Sequence, residues 1–426
     1  MEKIKFAVKA LGCKVNQYEE QLIRENLSGL GFAESDPGQA DIIILNSCTV
    51  TDTADAKTRK LIRKVKKDNP RAKVFVTGCY AVLQEDIKRL EAMPQVEGVI
   101  PGGDKQMIPL IMKKLFNVGA ALQPRYGISV FSDHTRAFLK IQDGCDQNCS
   151  YCKVNVVRGP SRSRAEDHIL EEAKRFISAG YREIVLTGIC LGSWQGSRGQ
   201  ALPALIDEIS RIKGDFRIRL SSLEPNHITD DLISSIAGSG KISRHLHIPL
   251  QSGSDRILRL MKRRYSAAQY RELIDKVRRK IPLVGLTMDV ISGFPGETEE
   301  DFALSRELVE QLGPSRLHVF RYSDRNGTSA SGFKDKVRGD LAKRRVGELI
   351  NIGKLLQAEF GRKFIGREVQ VLSEITKPGE YTEGYSGEYL RVRISGHNLP
   401  EGQILTALIE GYNSNSSCLV GKLAEI

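Results

Sequence analysis

The stretch AFLKIQDGCDQNCSYC spans residues 137–152. Its first six residues, AFLKIQ, form a short, largely apolar run that predicts a β-strand. Just past that strand come Cys145, Cys149 and Cys152, in a C-x3-C-x2-C spacing. Five further strand-like runs follow: EIVLTG (183–188), FRIRLS (216–221), HLHIPL (245–250), GLTMDVI (285–291) and RLHVF (316–320). Helical stretches at 166–179, 228–237, 267–280 and 298–312 separate them. Strands alternating with helices predict a parallel sheet with helices outside. Six units are too few for an eightfold barrel, so residues 134–360 are expected to form a partial, open (β/α)6 barrel. In barrels of this kind function gathers at the C-terminal ends of the strands. The three-cysteine loop falls at that end of the first strand.

The N-terminal region repeats the alternation on a smaller scale. KIKFAVKAL (3–11), DIIILN (41–46) and KVFVTG (73–78) read as strands, with helices near 18–31, 54–67 and from about 83. This predicts an α/β unit over 1–118 with an open parallel sheet. Cys13, Cys48 and Cys79 each fall just past a strand. The C-terminal ends of parallel strands line one sheet edge, so three cysteines far apart in sequence are expected to converge on one metal site. Residues 95–135 read as an irregular connector. In 362–426 the runs EVQVLSEI (368–375), YLRVRIS (389–395) and ILTALIEG (404–411) predict a small all-β barrel.

The net charge is +12 with a pI near 9.2. The charge is clumped: nine Lys/Arg and one acid lie between Ala56 and Lys73. Such a face points to a polyanionic partner, with nucleic acid ahead of a merely solvated surface. From Arg362 to Ile426 there are seven basic and eight acidic residues, so the β module is no electrostatic magnet. The basic helix and the Arg/Lys-rich segment 256–264 carry more of the attraction. No apolar run reaches the ~18 residues of a membrane span, and the Lys-interrupted N-terminus is no signal peptide. A cytoplasmic protein is expected. Its eight cysteines are then not a disulfide framework. Cys418 receives no role, and Cys190 reads as a small pocket residue at a strand end, where a reactive role stays open.

Three cysteines bind a four-iron, four-sulfide cluster incompletely, because each iron takes one ligand. The free iron can chelate the amine and carboxylate of S-adenosylmethionine. One electron then cleaves the sulfonium bond and releases a carbon radical, chemistry that the cofactors carry and the protein positions. The competing reading is a closed zinc site completed by a distant His or Cys.

GCDQNCSYC resembles the signature of the radical S-adenosylmethionine enzymes. LGCKVNQYE (11–19), LNSCTVT (45–51) and VTGCYA (76–81) resemble the amino-terminal domain of the methylthiotransferases. RSR, LTGI, RLSSLEP, HIPLQSGS and GFPGET resemble that family's later motifs, in the same order. LGCKVNQYE is most similar to the branch that modifies threonylcarbamoyladenosine in tRNA.

The resemblance implies that Cys145, Cys149 and Cys152 bind the radical-generating cluster. Cys13, Cys48 and Cys79 would hold a second cluster, also with one open iron. One S-adenosylmethionine would methylate a sulfur there. Another would yield a 5′-deoxyadenosyl radical that removes hydrogen from carbon 2 of adenosine 37. An electron donor and a sulfur source are implied as partners, with no membrane. Tyr151 would pack under the adenine, and Gly188 would let the backbone approach a ligand. Ser222 and Glu224 would bind ribose or the methionyl amine, and Gln251 and Ile291 would flank the adenosine. Arg158, Arg162 and Arg164 would meet tRNA phosphate. The C-terminal module resembles the RNA-binding TRAM domain. Two positions depart from the family pattern: Asn155 where Pro is common, and Cys190 where Asn or His is usual. Other substrates, a different tRNA adenosine or a ribosomal protein, stay open, as does a non-enzymatic zinc and RNA-binding protein.

Overall fold

The computed structural model describes residues 3–49, 52–119, 127–131, 134–396 and 398–424. Five parallel strands build the first sheet: β1 (Lys5–Ala10), β2 (Ala33–Glu34), β3 (Ile42–Ser47), β4 (Lys73–Gly78) and β5 (Gly98–Val99), in the order β2-β1-β3-β4-β5. β3 is buried along its whole length. Its residues alternate between two cores: Ile42 and Ile44 join Phe6, Val8 and Phe75, while Ile43 and Leu45 join Ala7, Val74 and Val76. A strand covered on both faces needs a continuous apolar run, and DIIILN supplies it. Helices α1 (Lys14–Gly29), α2 (Asp52–Asp68), α3 (Gln84–Glu91) and α4 (Ile108–Leu115) complete the unit. The expected start of α1 near Tyr18 is corrected to Lys14, because extended Cys13 occupies its N-cap position. The irregular connector is corrected too. Residues 98–115 supply the fifth strand and α4, and Ile100, Ile108 and Met112 enter the core.

The middle of the chain forms two three-stranded parallel sheets. The first has β6 (Ala137–Lys140), β9 (Glu183–Thr187) and β10 (Arg217–Leu220); the second has β11 (His245–His247), β12 (Gly285–Ser292) and β13 (Arg316–Arg321). Parallel bridges Ile218–Ile242 and Ser222–His247 join them into one arc in chain order. A small antiparallel pair, β7 (Gln142–Asp143) and β8 (Arg162–Ser163), closes the base of the cysteine loop. The helices α5 (Val154–Arg158), α6 (Glu166–Ser178), α7 (Leu202–Arg211), α8 (Asp230–Gly238), α9 (Asp255–Leu260), α10 (Ala267–Lys280) and α11 (Glu299–Leu312) intervene. A capping box, Ser266 with Gln269 and Thr298 with Asp301, fixes the starts of α10 and α11. The expected strand 245–250 stops at His247, where Pro249 and left-handed Gln251 end the ladder.

The 24-residue α12 (Gly339–Arg362) leads to a closed ring of five strands. These are β14 (Glu368–Lys377), β15 (Tyr381–Ser386), β16 (Arg391–Ser395), β17 (Ile404–Asn413) and β18 (Cys418–Leu423). Three were expected; β15 and β18 are additional. The ring docks against the arc through buried arginines: Arg217 and Arg219 donate to the carbonyls of Gln370, Tyr385, Ser386 and Gly387. Both also pair with the fully buried Glu183.

Candidate active site

The three-cysteine loop is held at both ends. Gly144 turns with φ +73°, and a Cβ there would lie 1.9 Å from the Pro160 carbonyl, so only glycine fits. The Cys145 amide donates to Gly159, and Ser150 donates to the carbonyls of Leu260 and Met261 at the end of α9. Backbone amides point at two sulfurs, Gln147 N–H at Cys145 and Val154 N–H at Cys152, each at 3.4 Å. The Arg263 guanidinium donates to Cys149 Sγ at 3.2 Å and pairs with Glu224. A hydrogen bond with the Cys190 thiol holds Cys145 below the ordinary thiol range. Burial pushes Cys152 up to about 12. Burial also raises Cys149, against the pull of Arg263.

The second trio sits at the edge of the first sheet. Gly12, at φ +106°, lies against Cys48: a Cβ there would come within 2.6 Å of the Cys48 Cβ. The Cys79 amide donates to Ser47, the residue before Cys48. Fully buried Asn16 braces the turn, donating to the carbonyls of Leu11 and Ser47. The Cys13 thiol donates to the Asn16 side-chain oxygen, Oδ1, at 3.8 Å. Cys48 and Cys79 are buried, and Cys13 is exposed. Arg325 clamps the next residue, Thr49, from the far side of the arc.

One side chain joins the trios. Arg158, six residues past Cys152, reaches into the first sheet and donates to Cys79 Sγ at 3.2 Å. It also binds Glu19 at 2.9 Å, Asp143 at 3.0 Å, and Asn16. Lys153 adds a second buried tie, to Asp86 at 2.8 Å. Burial alone would raise the Glu19 carboxyl, but Lys105, Lys140 and Arg158 outweigh it and hold it well below the usual range. Asp143 is lowered likewise, by Lys140 and Arg158.

The donors fit clusters better than single ions. A tetrahedral zinc with bonds of ~2.3 Å sets its sulfurs about 3.8 Å apart. Among the described residues, the group of three ligands whose atoms all lie within 4.8 Å is His247, Asp289 and His318, not either cysteine trio. A polynuclear cluster distributes its cysteines over several irons and needs them spread.

The remaining expected residues fall in three places. Tyr151 and Ile291 pack on one apolar cluster with Phe294, Met261 and Ala330. Gln251 adjoins them: its carbonyl accepts from Ile291, and its φ is +67°. Gly188 gives room to a protein side chain, since a Cβ there would lie 2.9 Å from Gln142 Oε1. Buried Gln142 braces the loop, donating to Asp143, Gly144 and Ser161 and accepting from the Cys190 amide. Ser222 bridges to His247, and Glu224 is engaged by Arg263. The expected phosphate contacts of Arg158 and Arg164 are corrected. Arg158 is buried, and Arg164 pairs with buried Glu172 and Tyr18. Arg162 remains exposed. Arg263 turns inward and Arg256 pairs with Asp301, so the 256–264 surface keeps Arg259, Lys262 and Arg264. Sequence reasoning missed Asn16, Glu19, Gln142 and Arg263. The first two lie inside LGCKVNQYE, so their nearness to Cys13 was the available signal.

A three-cysteine loop at the C-terminal end of the first strand of a parallel β/α arc defines a radical S-adenosylmethionine enzyme. The model of the Radical SAM superfamily matches residues 139–309, and that of uncharacterized protein family UPF0004 matches 5–101. Among solved structures, the arrangement is similar to the radical S-adenosylmethionine methyltransferase TsrM from Kitasatospora setae. The TM-score is 0.52 at 12% identity, over 75% of each chain. The chain is 35% identical to the threonylcarbamoyladenosine tRNA methylthiotransferase MtaB of Bacillus subtilis, over 97% of this chain and 96% of that protein. It is 34% identical to the protein of the same name in Thermotoga maritima, over 92% of each. It is also 35% identical to a tRNA-2-methylthio-N(6)-dimethylallyladenosine synthase of Carboxydothermus hydrogenoformans, over 85% of this chain and 86% of that protein. The chain therefore belongs to the radical S-adenosylmethionine tRNA methylthiotransferase family and is a transferase. The family's cofactors are iron–sulfur clusters and S-adenosylmethionine. No helix among the described residues is long and apolar enough to cross a membrane.

Proposed function

We propose that this chain methylthiolates carbon 2 of N6-threonylcarbamoyladenosine at position 37 of tRNA, in the cytoplasm. The observation that supports the reading is Arg158, six residues past Cys152, which donates to Cys79 Sγ and so ties the segment carrying one cysteine trio to the other trio. Cys145, Cys149 and Cys152 would hold one four-iron, four-sulfide cluster, and Cys13, Cys48 and Cys79 a second. When bound, these groups supply the electron that cleaves S-adenosylmethionine and the sulfur that is transferred, replenished by an external donor and a sulfur source. The chain's own residues orient and enclose. Arg263 and the Gln147 and Val154 amides direct positive charge at the loop sulfurs. Tyr151 and Ile291 form an apolar wall for the adenosine, with Gln251 beside it. Ser222 and Glu224 offer polar contacts to ribose or the methionyl amine, and Gly188 keeps Gln142 in place. Residues 1–118 serve as the second-cluster domain, 134–360 as a partial (β/α)6 barrel and 362–426 as a TRAM-like barrel.

The proposed tRNA surface is α2, where Lys57, Lys60, Arg63, Lys64 and Lys67 are all exposed, together with Arg162. Phosphate neutralisation by such a row supplies affinity without base specificity. The test is nucleoside mass spectrometry of tRNA from cells with and without the gene. A methylthio form of threonylcarbamoyladenosine that appears only with the gene is the expected result. The similarity to the dimethylallyladenosine synthase supports a second reading. Methylthiolation of isopentenyladenosine would replace the substrate and keep the chemistry. No changed nucleoside in cells with loaded clusters would move a ribosomal protein to first place.

A further inference from the structure

The interior of the arc holds a set of donors that the proposed reaction does not use. On β12, Leu286, Met288 and Val290 enter the outer apolar core, so Thr287, Asp289 and Ile291 face the other way, into the interior. Asp289 is paired across the sheet with His318 of β13, and Thr287 with His247 of β11. Three neighbouring strands thus direct His247, Asp289 and His318 to one spot. His247 Nε2 lies 3.1 Å from Asp289 Oδ2, and His318 Nδ1 lies 3.3 Å from Asp289 Oδ1. All three are partly buried, with side-chain exposures of 16%, 21% and 38%.

We infer that His247, Asp289 and His318 form a third metal site, for a divalent first-row cation such as Zn2+ or Fe2+. Two imidazoles and one carboxylate, with positions left open on one side, are a donor set that such ions take. Bonds of ~2.1 Å at octahedral or tetrahedral angles separate adjacent ligands by about 3.0–3.4 Å, and the two nitrogen–oxygen distances, one to each Asp289 oxygen, match that range for a carboxylate that offers both oxygens. Two further observations point to a cation. Asp289 Oδ1 is shielded from water, and its one close polar neighbour, the His318 ring nitrogen at 3.3 Å, is poorly aligned for a hydrogen bond. A buried carboxylate oxygen left in that state is costly, and a metal bond satisfies it. The ring of His247 is also fixed from behind: its Nδ1 lies 2.8 Å from the Thr287 hydroxyl, which His245 Nε2 approaches at 3.1 Å. Metal-binding histidines are oriented by such an outer partner on the second ring nitrogen. No sulfur belongs to the set, which separates it from both cysteine trios.

The experiment uses holoenzyme reconstituted anaerobically and titrated with Zn2+ by calorimetry, followed by elemental analysis after gel filtration. Iron, sulfide and visible absorbance are followed throughout to show that the clusters stay intact. One zinc per chain is expected in the wild type. His318→Ala and Asp289→Asn are each expected to weaken binding at least a hundredfold. Thr287→Val should weaken it about ten- to a hundredfold, as loss of an outer partner does. Equal zinc binding in wild type and variants, or none in the wild type, overturns the site. Zinc-edge X-ray absorption on the wild type decides independently of any variant's folding. A shell of nitrogen and oxygen with imidazole scattering is expected, and a sulfur shell would refute the assignment.

Discussion

Replacing Arg158 with Met should unhook the cysteine loop from the first sheet. The side chain is buried and holds Glu19 at 2.9 Å and Asp143 at 3.0 Å. At an effective dielectric of ~20, the Glu19 contact alone is worth about 6 kcal/mol before desolvation. Most of that is returned when the guanidinium leaves water, and breaking such a pair from one side costs about 3–5 kcal/mol. Glu19 would retain Lys105 and Lys140, and Asp143 would retain Lys140. The lower end, about 3 kcal/mol, therefore applies. A chain of several packed units does not unfold in one step, so the loss belongs to local opening and is read by native-state hydrogen exchange. The reporters are the Cys145 and Arg164 amides, bonded to Gly159 and Ile141 across the loop base. Their exchange should quicken by about two orders of magnitude. Arg158→Lys keeps the charge without the planar fork and should fall between. Less than a threefold change in Arg158→Met would refute the reasoning.

Four further outcomes are expected. Gly144→Ala should prevent iron–sulfur loading of the 145–152 loop, because its methyl would overlap the Pro160 carbonyl; iron and sulfide analysis reads this. Cys13→Ala should abolish sulfur insertion yet leave most S-adenosylmethionine cleavage, whereas Cys145→Ala should abolish both; full methylthiolation by Cys13→Ala would contradict the second-cluster assignment. Changing exposed Lys60, Lys64 and Lys67 together to Ala should weaken tRNA binding and flatten its log–log salt dependence by about 2 to 3 units; an unchanged slope would remove α2 from the interface. Burial alone would raise the Glu183 carboxyl, but Arg219 and Arg217 outweigh it and depress it far below the usual range. Its stabilisation is thus complete above the ordinary Glu range near pH ~4.5 and lost as pH falls through the depressed value. Protection of the ring from proteolysis should stay level from pH 7 to about 5 and decline below that, and Glu183→Gln should reduce that acid dependence, leaving the part that Glu383 contributes.

The parallel character of both sheets was legible because DIIILN and its counterparts are apolar on both faces, and because each cysteine sat just past such a run. Those features depend on neighbours in sequence. Directions of long cations do not. Arg263 sits in MKRRY among exposed Lys262 and Arg264, yet its side chain turns inward to Cys149 and Glu224, contacts that only the folded chain supplies. Arg158 and Arg162 likewise share one composition and part company in space, since the first meets an acidic pocket supplied by Glu19 and Asp143. The short strands β5 and β15 were illegible for another reason. Two residues, or a run interrupted by glycine, carry too little periodicity to register. His247, Asp289 and His318 come from three separate strands, and only pairing register brings them together.

The docking of the ring has a consequence for traffic. Gly285 on β12 approaches the Glu388 carbonyl so closely that a Cβ would lie 1.9 Å away. Around this contact, the Tyr389 ring lies tilted against His245, with centroids 4.7 Å apart, and covers Arg219 at 4.8 Å. The 386–390 turn thereby lies over one end of the arc, at the starts of β11 and β12. With that end covered, a radical formed inside the arc would meet protein or substrate before solvent. Cutting the chain after α12 would therefore remove more than five strands: it would uncover that end of the arc, and the expected symptom is futile consumption of S-adenosylmethionine rather than silence.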